Sequence, residues 1–279
     1  MDYNSIKCNL SKDDIISDIK LCLGADINRI NTYVIVEGID DIRFIKKYIS
    51  SNVLLYESFD GKNGVMEIVD TFFGVNKRVI GIRDKDYCTC LGSAKIHYYD
   101  YSCMEMMLID NEDTFNAIFC EYYAGDKEAN LLMMYLLSEL QFLSCIRMCN
   151  ETDGWGILLD GVSIVNAFDA IGFKVDHSIL INKVNSMNRG FLDASKILYL
   201  KSKFVESPTI KYLLGITQGH DFIKLFATIC NLYTKNGVNV KDIAASLRCA
   251  YKKEYFICTN LYTTLNDYQK SNNLNILSA

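Results

Sequence analysis

Proline is nearly missing from this chain: Pro208 is the only one in 279 residues. No Pro- or Gly-rich linker marks a domain boundary, and neither repeats nor a low-complexity tract interrupts the sequence. Histidine is almost as scarce, with only His97, His177 and His220. The 11 cysteines include no Cys-x-x-Cys pair, the nearest spacings being Cys88-x-Cys90 and Cys145-x3-Cys149, so a Cys/His zinc site lacks its ligand pattern. Their odd number fits reduced, mostly buried thiols of a cytoplasmic protein better than a disulfide framework. The longest apolar run in the middle of the chain, Leu131–Leu137, falls far short of the roughly 18 residues that a membrane span needs. No membrane association is expected. The opening MDYNSIKCNLSKDD has no basic region followed by an apolar one, so no secretory signal is read there. The patterns Gly-x4-Gly-Lys-Ser/Thr, Gly-x-Ser-x-Gly and His-Glu-x-x-His are absent, which excludes a P-loop ATPase, a hydrolase nucleophile elbow and a zinc metalloprotease helix.

What is abundant is apolar surface. Half the residues are hydrophobic, enough for a sizeable core in one large domain or two ordinary ones. Charge is uneven along the chain. The net charge of −5 argues against a dedicated nucleic-acid coat. Residues 1–190, however, hold 18 basic and 28 acidic side chains, a balance of −10, whereas 191–279 hold 11 and 6, a balance of +5. A basic end could hold a polyanion while an acidic, metal-loaded end acts on it; ordinary surface variation is the plainer alternative.

Periodicity divides the chain into an α/β part and a mostly helical part. A helix is predicted over Asn9–Leu23, with Ser11 as N-cap and Ile15, Ile16, Ile19 and Leu23 on one stripe. Strands are predicted at Thr32–Val36, Val53–Tyr56, Lys77–Ile82 and Lys95–Tyr99, with helices at Asp41–Ile49 and Val65–Phe73 between them. That β-α-β-α-β order predicts a mostly parallel four-stranded sheet flanked by helices, joined by right-handed crossovers. Beyond Tyr101, helical periodicity covers Met104–Ile109, Thr114–Tyr123, Glu128–Met148, Ser178–Met187, Phe191–Phe204, Phe222–Thr234 and Val240–Tyr251. The expected organisation is an N-terminal helical segment (1–31), a sheet domain (32–110) and a mainly helical domain (111–279) packed on it.

Two acidic signatures stand out. Tyr33–Asp41 reads YVIVEGIDD and Arg78–Asp86 reads RVIGIRDKD, each a run of β-formers that stops at carboxylates. In open α/β sheets the ligand site lies beyond the carboxyl ends of the strands, so Glu37, Asp40, Asp41, Asp84 and Asp86 are expected on one rim. Clustered carboxylates repel unless a cation joins them, and an oxygen-only set suits Mg²⁺, with Mn²⁺ as substitute. A metal-dependent phosphoryl-transfer site is the first expectation. Glu37 ends a strand and could bind metal or move a proton. Asp41 could bind metal or simply favour the dipole of the next helix, and Asp40 reads as that helix's N-cap. Asp84-x-Asp86, if extended, points both carboxylates to one side. Glu105, set among apolar residues, could complete a second metal position or make a salt bridge. Asp100 reads as a solvated strand end. Lys62 sits beside Gly61 at a helix start, where a phosphate could be met, and Arg83 and Lys85 flank the aspartates. In Gly219-His220-Asp221, either Asp221 or His220 reads as a helix cap, or His220 reaches a phosphate.

Val-Glu-Gly-x-x-Asp at Val36–Asp41, followed by a strand ending in Asp84-x-Asp86, resembles a Toprim domain, the catalytic module of topoisomerases, bacterial primases and OLD-type nucleases. The resemblance extends to a bacterial Toprim-like family that includes the AriB-like effectors of PARIS anti-phage defence, through Gly61–Val65, Glu105 and the late Gly219–Asp221. It implies a Toprim-like fold with Glu37 as catalytic glutamate and with Asp41, Asp84, Asp86 and Glu105 around one or two Mg²⁺ ions. It also implies an OLD/ABC-like ATPase partner that restrains the effector, a homodimer when active, and RNA, with tRNA favoured, as the substrate. The rival expectations are a Toprim regulatory or assembly subunit without turnover, a DNA-directed OLD-like nuclease, and, more distantly, primase- or topoisomerase-like activity.

Overall fold

The computed structural model describes residues 11–87, 92–235 and 237–278. These form two compact units. The sheet unit takes in 11–85, 92–100 and 252–278; the helical unit takes in 86–87, 101–235 and 237–251. The sequence-based boundary at 110/111 differs from this division, because residues 101–110 belong to the helical unit and the chain beyond 251 returns to the sheet. Cys88, Cys90 and the start of the first predicted helix at Asn9 lie outside the described residues.

In the sheet unit, α1 (Lys12–Ala25) precedes β1 (Thr32–Val36), α2 (Ile39–Ile45), β2 (Val53–Glu57), α3 (Gly61–Met66), β3 (Val79–Arg83) and β4 (Ile96–Tyr98). The four strands are all parallel, in the order β2-β1-β3-β4. Ser11 caps α1, as the sequence predicts, and the structure adds a reciprocal capping box with Asp14. Every residue of β1 and β3 is buried, the signature of strands covered on both faces. One face packs Tyr33, Ile35 and Val79 against Ile15, Ile16 and Ile19 of α1 and Val65, Ile68 and Val69. A Cβ at Gly81 would come within 2.6 Å of Val65 Cγ1, so only glycine lets the helix lie this close to β3.

The predicted single helix over Val65–Phe73 is instead α3 followed by a π-helical turn, Glu67–Phe72. Lys95 closes it: its buried ammonium donates to the carbonyls of Val69 and Phe73, both at 2.7 Å. Burial lowers the Lys95 pKa, with Asp70 opposing.

The C-terminal return is decided by aromatic packing. In α12 (Lys253–Phe256), Phe256 stacks on Tyr48 at 4.2 Å and meets Phe44 edge-on at 6.2 Å. Next, α13 (Asn260–Asn272) places Thr264 3.2 Å from His97 Nδ1. The tail then pairs Leu277 with Ile49 in an isolated antiparallel bridge. Asp100, read from sequence as a solvated strand end, accepts the backbone N–H groups of Asn260 and Leu261 at 2.9 and 3.0 Å and so caps α13.

The helical unit contains α4 (Met104–Ile109), α5 (Glu112–Tyr122), α6 (Ala129–Thr152), a short β5–β6 hairpin (Phe168–Asp169 and Lys174–Val175), α7 (His177–Met187), α8 (Ala194–Ser202), α9 (Ile210–Ile216), α10 (Gly219–Cys230) and α11 (Val240–Ala250). Helix α6 has 24 residues and is apolar enough to cross a membrane, but 61% of its apolar window is buried inside the protein. Leu132, Leu136, Leu137, Leu140 and Leu143 make it the core helix of this unit. Burial pushes the thiols of Cys145 and Cys149 up to about 11 and that of Cys230 up to about 12, so all three are poor nucleophiles.

Candidate active site

The parallel register sets Val36 opposite Glu57 on one side and Ile82 on the other. Three neighbouring strands therefore reach one rim with a carboxylate each: Glu57 closes β2, Glu37 follows β1 and Asp84 follows β3. The N–H of Asp84 donates to Glu37 Oε1 at 2.8 Å. The other oxygen, Oε2, faces Gly61, where a Cβ would stand 3.9 Å away. A Cβ on Gly38 would lie 3.8 Å from Asp41 Oδ2 and 4.0 Å from Glu57 Oε1, so those two carboxylates flank that glycine. Glu57 escaped the sequence reading. Its signal was the same as that of Glu37, an acid closing a run of β-formers (Val53–Tyr56).

Helix α2 begins two residues earlier than predicted. Its N-cap is Gly38, extended at φ −154°, and not Asp40. Asp41 is the third helical residue and reaches back with Oδ2 to the Gly38 N–H at 2.9 Å, which is the helix-start role the sequence allowed for it. Asp40 pairs with Arg43 at 2.9 Å in a largely exposed ion pair.

Arg83 lies at the same rim and is 5% exposed. Its Nε donates to the Asp84 carbonyl at 3.1 Å and stands 4.0 Å from Glu37 Oε1, while Nη1 lies 2.8 Å from Met66 Sδ. The guanidinium offsets part of the negative charge gathered here. Lys62 is the second residue of α3 and half-buried, and Lys85 is exposed.

Strand β3 ends at Arg83, and Asp86 adopts φ +47°. The extended alternation expected of Asp84-x-Asp86 therefore stops before Asp86. Asp86 belongs to the helical unit, where its N–H donates to the Ser102 carbonyl at 2.7 Å and its Oδ1 accepts from Gln218 Nε2 at 3.0 Å. Glu105, in the first turn of α4, lies against the start of α10: a Cβ on Gly219 would be 2.3 Å from Glu105 Oε2.

Neither Asp221 nor His220 caps α10, whose N-cap is Gln218. Asp221 is 2% exposed and accepts from Arg147 Nε at 2.9 Å, while His220 Nε2 stands 3.2 Å from its other oxygen. Burial pushes the Asp221 carboxyl up, but the His220 contact and the Arg147 charge outweigh it and hold the group below the usual range. Arg147 was missed because its partner, Asp221, lies 74 positions away, beyond any local pattern. Burial also raises the Tyr87 hydroxyl beside this cluster.

The structure thus brings Glu37, Asp41, Asp84, Lys62 and Arg83 to the sheet unit, and Asp86, Glu105 and His220 to the helical unit around the start of α10. Among the described residues, no group of three or more His, Cys, Asp and Glu side chains stands ready to hold a metal. Mg²⁺ commonly takes only one or two carboxylates and keeps its waters, and Glu37 and Asp84, at the ends of neighbouring strands, are oxygen donors of that class. Compared with protein-family models and with curated proteins, the chain matches none.

Proposed function

We propose that this protein is a Mg²⁺-dependent, Toprim-like endonuclease, the cytoplasmic toxic effector of an anti-phage defence system. An OLD/ABC-like ATPase would hold it inactive, and on release it would act as a homodimer on RNA, with tRNA the favoured target. The single observation that carries the reading is the rim at the carboxyl ends of β2, β1 and β3, where Glu37 and Asp84 share a hydrogen bond. The Val36–Asp41 and Arg83–Asp86 motifs supply the resemblance.

Glu37 and Asp84 would hold the ion, which supplies stabilisation of charge on the phosphoryl and leaving oxygens. The Asp84 N–H orients the Glu37 carboxylate through Oε1, and that carboxylate would take or give a proton at the attacking or departing oxygen. Lys62 contributes an ammonium for a phosphate beside the rim.

A second reading, a regulatory or assembly subunit without turnover, is favoured by one observation. Arg83 Nε lies 4.0 Å from Glu37 Oε1 and could neutralise that carboxylate in place of a metal. The test is incubation with tRNA, single-stranded DNA and duplex DNA, in Mg²⁺ or Mn²⁺, with and without an ATPase encoded by a neighbouring gene. The nuclease reading expects cleavage by the wild type and none by Glu37→Ala. Absence of cleavage under every condition, with the partner removed, supports the regulatory reading.

A further inference from the structure

The helical unit carries an aromatic and cationic patch that the proposed reaction does not use. Trp155, in the loop after α6, lies 5.5 Å from Phe191 and 6.2 Å from Tyr199 between ring centroids, at interplanar angles of 52° and 50°. Both pairs are tilted rather than stacked. Lys196 Nζ stands 4.9 Å from the Trp155 ring centroid and 5.2 Å from that of Phe191, and Lys203 Nζ stands 4.9 Å from Tyr199. Lys196, Tyr199 and Lys203 recur at helical spacing along α8 and its C-cap, so they share one face. Tyr199 is 38% exposed, and Trp155 and Phe191 are half-buried. Two acids help build the patch, and Asp153 also draws Lys203, which bonds to the Tyr199 hydroxyl. Asp153 accepts the Tyr199 hydroxyl at 3.0 Å, and Asp193 caps α8 through the Lys196 N–H at 2.9 Å.

A ring beside an ammonium group matches the two halves of an unpaired nucleotide. The lysines stand over the ring faces, so the phosphate draws the ammonium aside and the base stacks on the face it leaves. We propose that Trp155, Phe191 and Tyr199, with Lys196 and Lys203, form a binding surface for single-stranded nucleic acid. An acidic peptide would satisfy the lysines and leave the rings unused, while a duplex keeps its bases stacked within itself. The inference deepens the nuclease reading by naming the form of its substrate, and rests on that reading for its purpose only.

Trp155 is the sole tryptophan of the chain, so its fluorescence reports on this patch alone. The full chain is titrated in EDTA with a short oligouridylate, with a duplex RNA of equal length and with polyglutamate. Saturable quenching by the oligouridylate, and weaker binding of the other two, is expected. Tyr199→Ala should weaken binding on the order of tenfold, and Tyr199→Phe should restore it. Lys196→Gln/Lys203→Gln should flatten the dependence of log K on log salt by about 0.7 per lysine. Thermal melts establish that each variant is folded. Equal affinity for the duplex or polyglutamate, no quenching, or variants that bind like the wild type would overturn the proposal. Glu37→Ala should bind like the wild type. Binding without cleavage anywhere sinks the nuclease reading alone, and cleavage without quenching sinks the patch alone.

Discussion

The main-chain N–H of Asp84 donates to Oε1 of Glu37 at 2.8 Å, tying together the ends of two adjacent parallel strands. Glu37→Gln keeps an oxygen acceptor for that N–H and removes the charge. Under the nuclease proposal, cleavage is expected to fall by roughly 10²-fold or more, with little change in melting temperature. Glu37→Ala also loses the acceptor, at a cost of about 1 kcal/mol. Wild-type cleavage rates in Glu37→Gln would remove Glu37 from the chemistry.

Gly219 is where α10 meets Glu105. A Cβ there would lie 2.3 Å from Glu105 Oε2 and 2.7 Å from Glu105 Cβ. Gly219→Ala is expected to destabilise the protein by roughly 1–3 kcal/mol through overpacking. Adding Glu105→Ala should recover part of the loss, because the carboxyl clash disappears while the Cβ contact stays. Urea denaturation of both variants checks this, and an unchanged midpoint for Gly219→Ala would refute the close approach.

The Arg147–Asp221 pair is buried, at 16% and 3% side-chain exposure. Arg147→Ala leaves a buried carboxylate without its guanidinium and is expected to cost about 3–5 kcal/mol. Asp221 is held below its ordinary value of 3.8, so it contributes stability above that pH and the contribution is lost as pH falls through its folded value. Without Arg147, the His220 contact alone opposes burial, and the acid limb of stability should move to higher pH. Arg147→Ala/Asp221→Asn should regain much of the loss; a double variant as unstable as the sum of the singles would contradict the pairing.

His97, on β4, is 4% exposed, and burial lowers its pKa from 6.5 to about 4. The unfolded chain therefore binds the proton first. Stability is full above pH 6.5 and falls between 6.5 and about 4, by at most about 1.4 kcal/mol per pH unit. His97→Gln should flatten that window in denaturant titrations across pH. An equally steep slope in the variant would assign the acid sensitivity to other groups.

Much of the sheet was legible because buried parallel strands announce themselves. Val34–Val36 and Val79–Ile82 are apolar on every residue, and acids follow both runs. Helix α13 over Asn260–Asn272 was not expected, since its sequence is mostly polar and its apolar face is thin. The π-turn at Glu67–Phe72 was equally hidden, because its registry is held by Lys95, a residue more than twenty positions away.

The α/β class, the parallel sheet and the place of Ser11, Glu37 and Asp84 were readable from the amino-acid sequence, because local periodicity and chain direction suffice for those. Tertiary packing alone set Asp86 against Gln218 and Asp221 against Arg147, and brought Phe256 and the chain end back to the sheet. Those choices depend on which distant side chains packing brings together, such as Arg147 and Asp221 across 74 positions, and no local pattern encodes them.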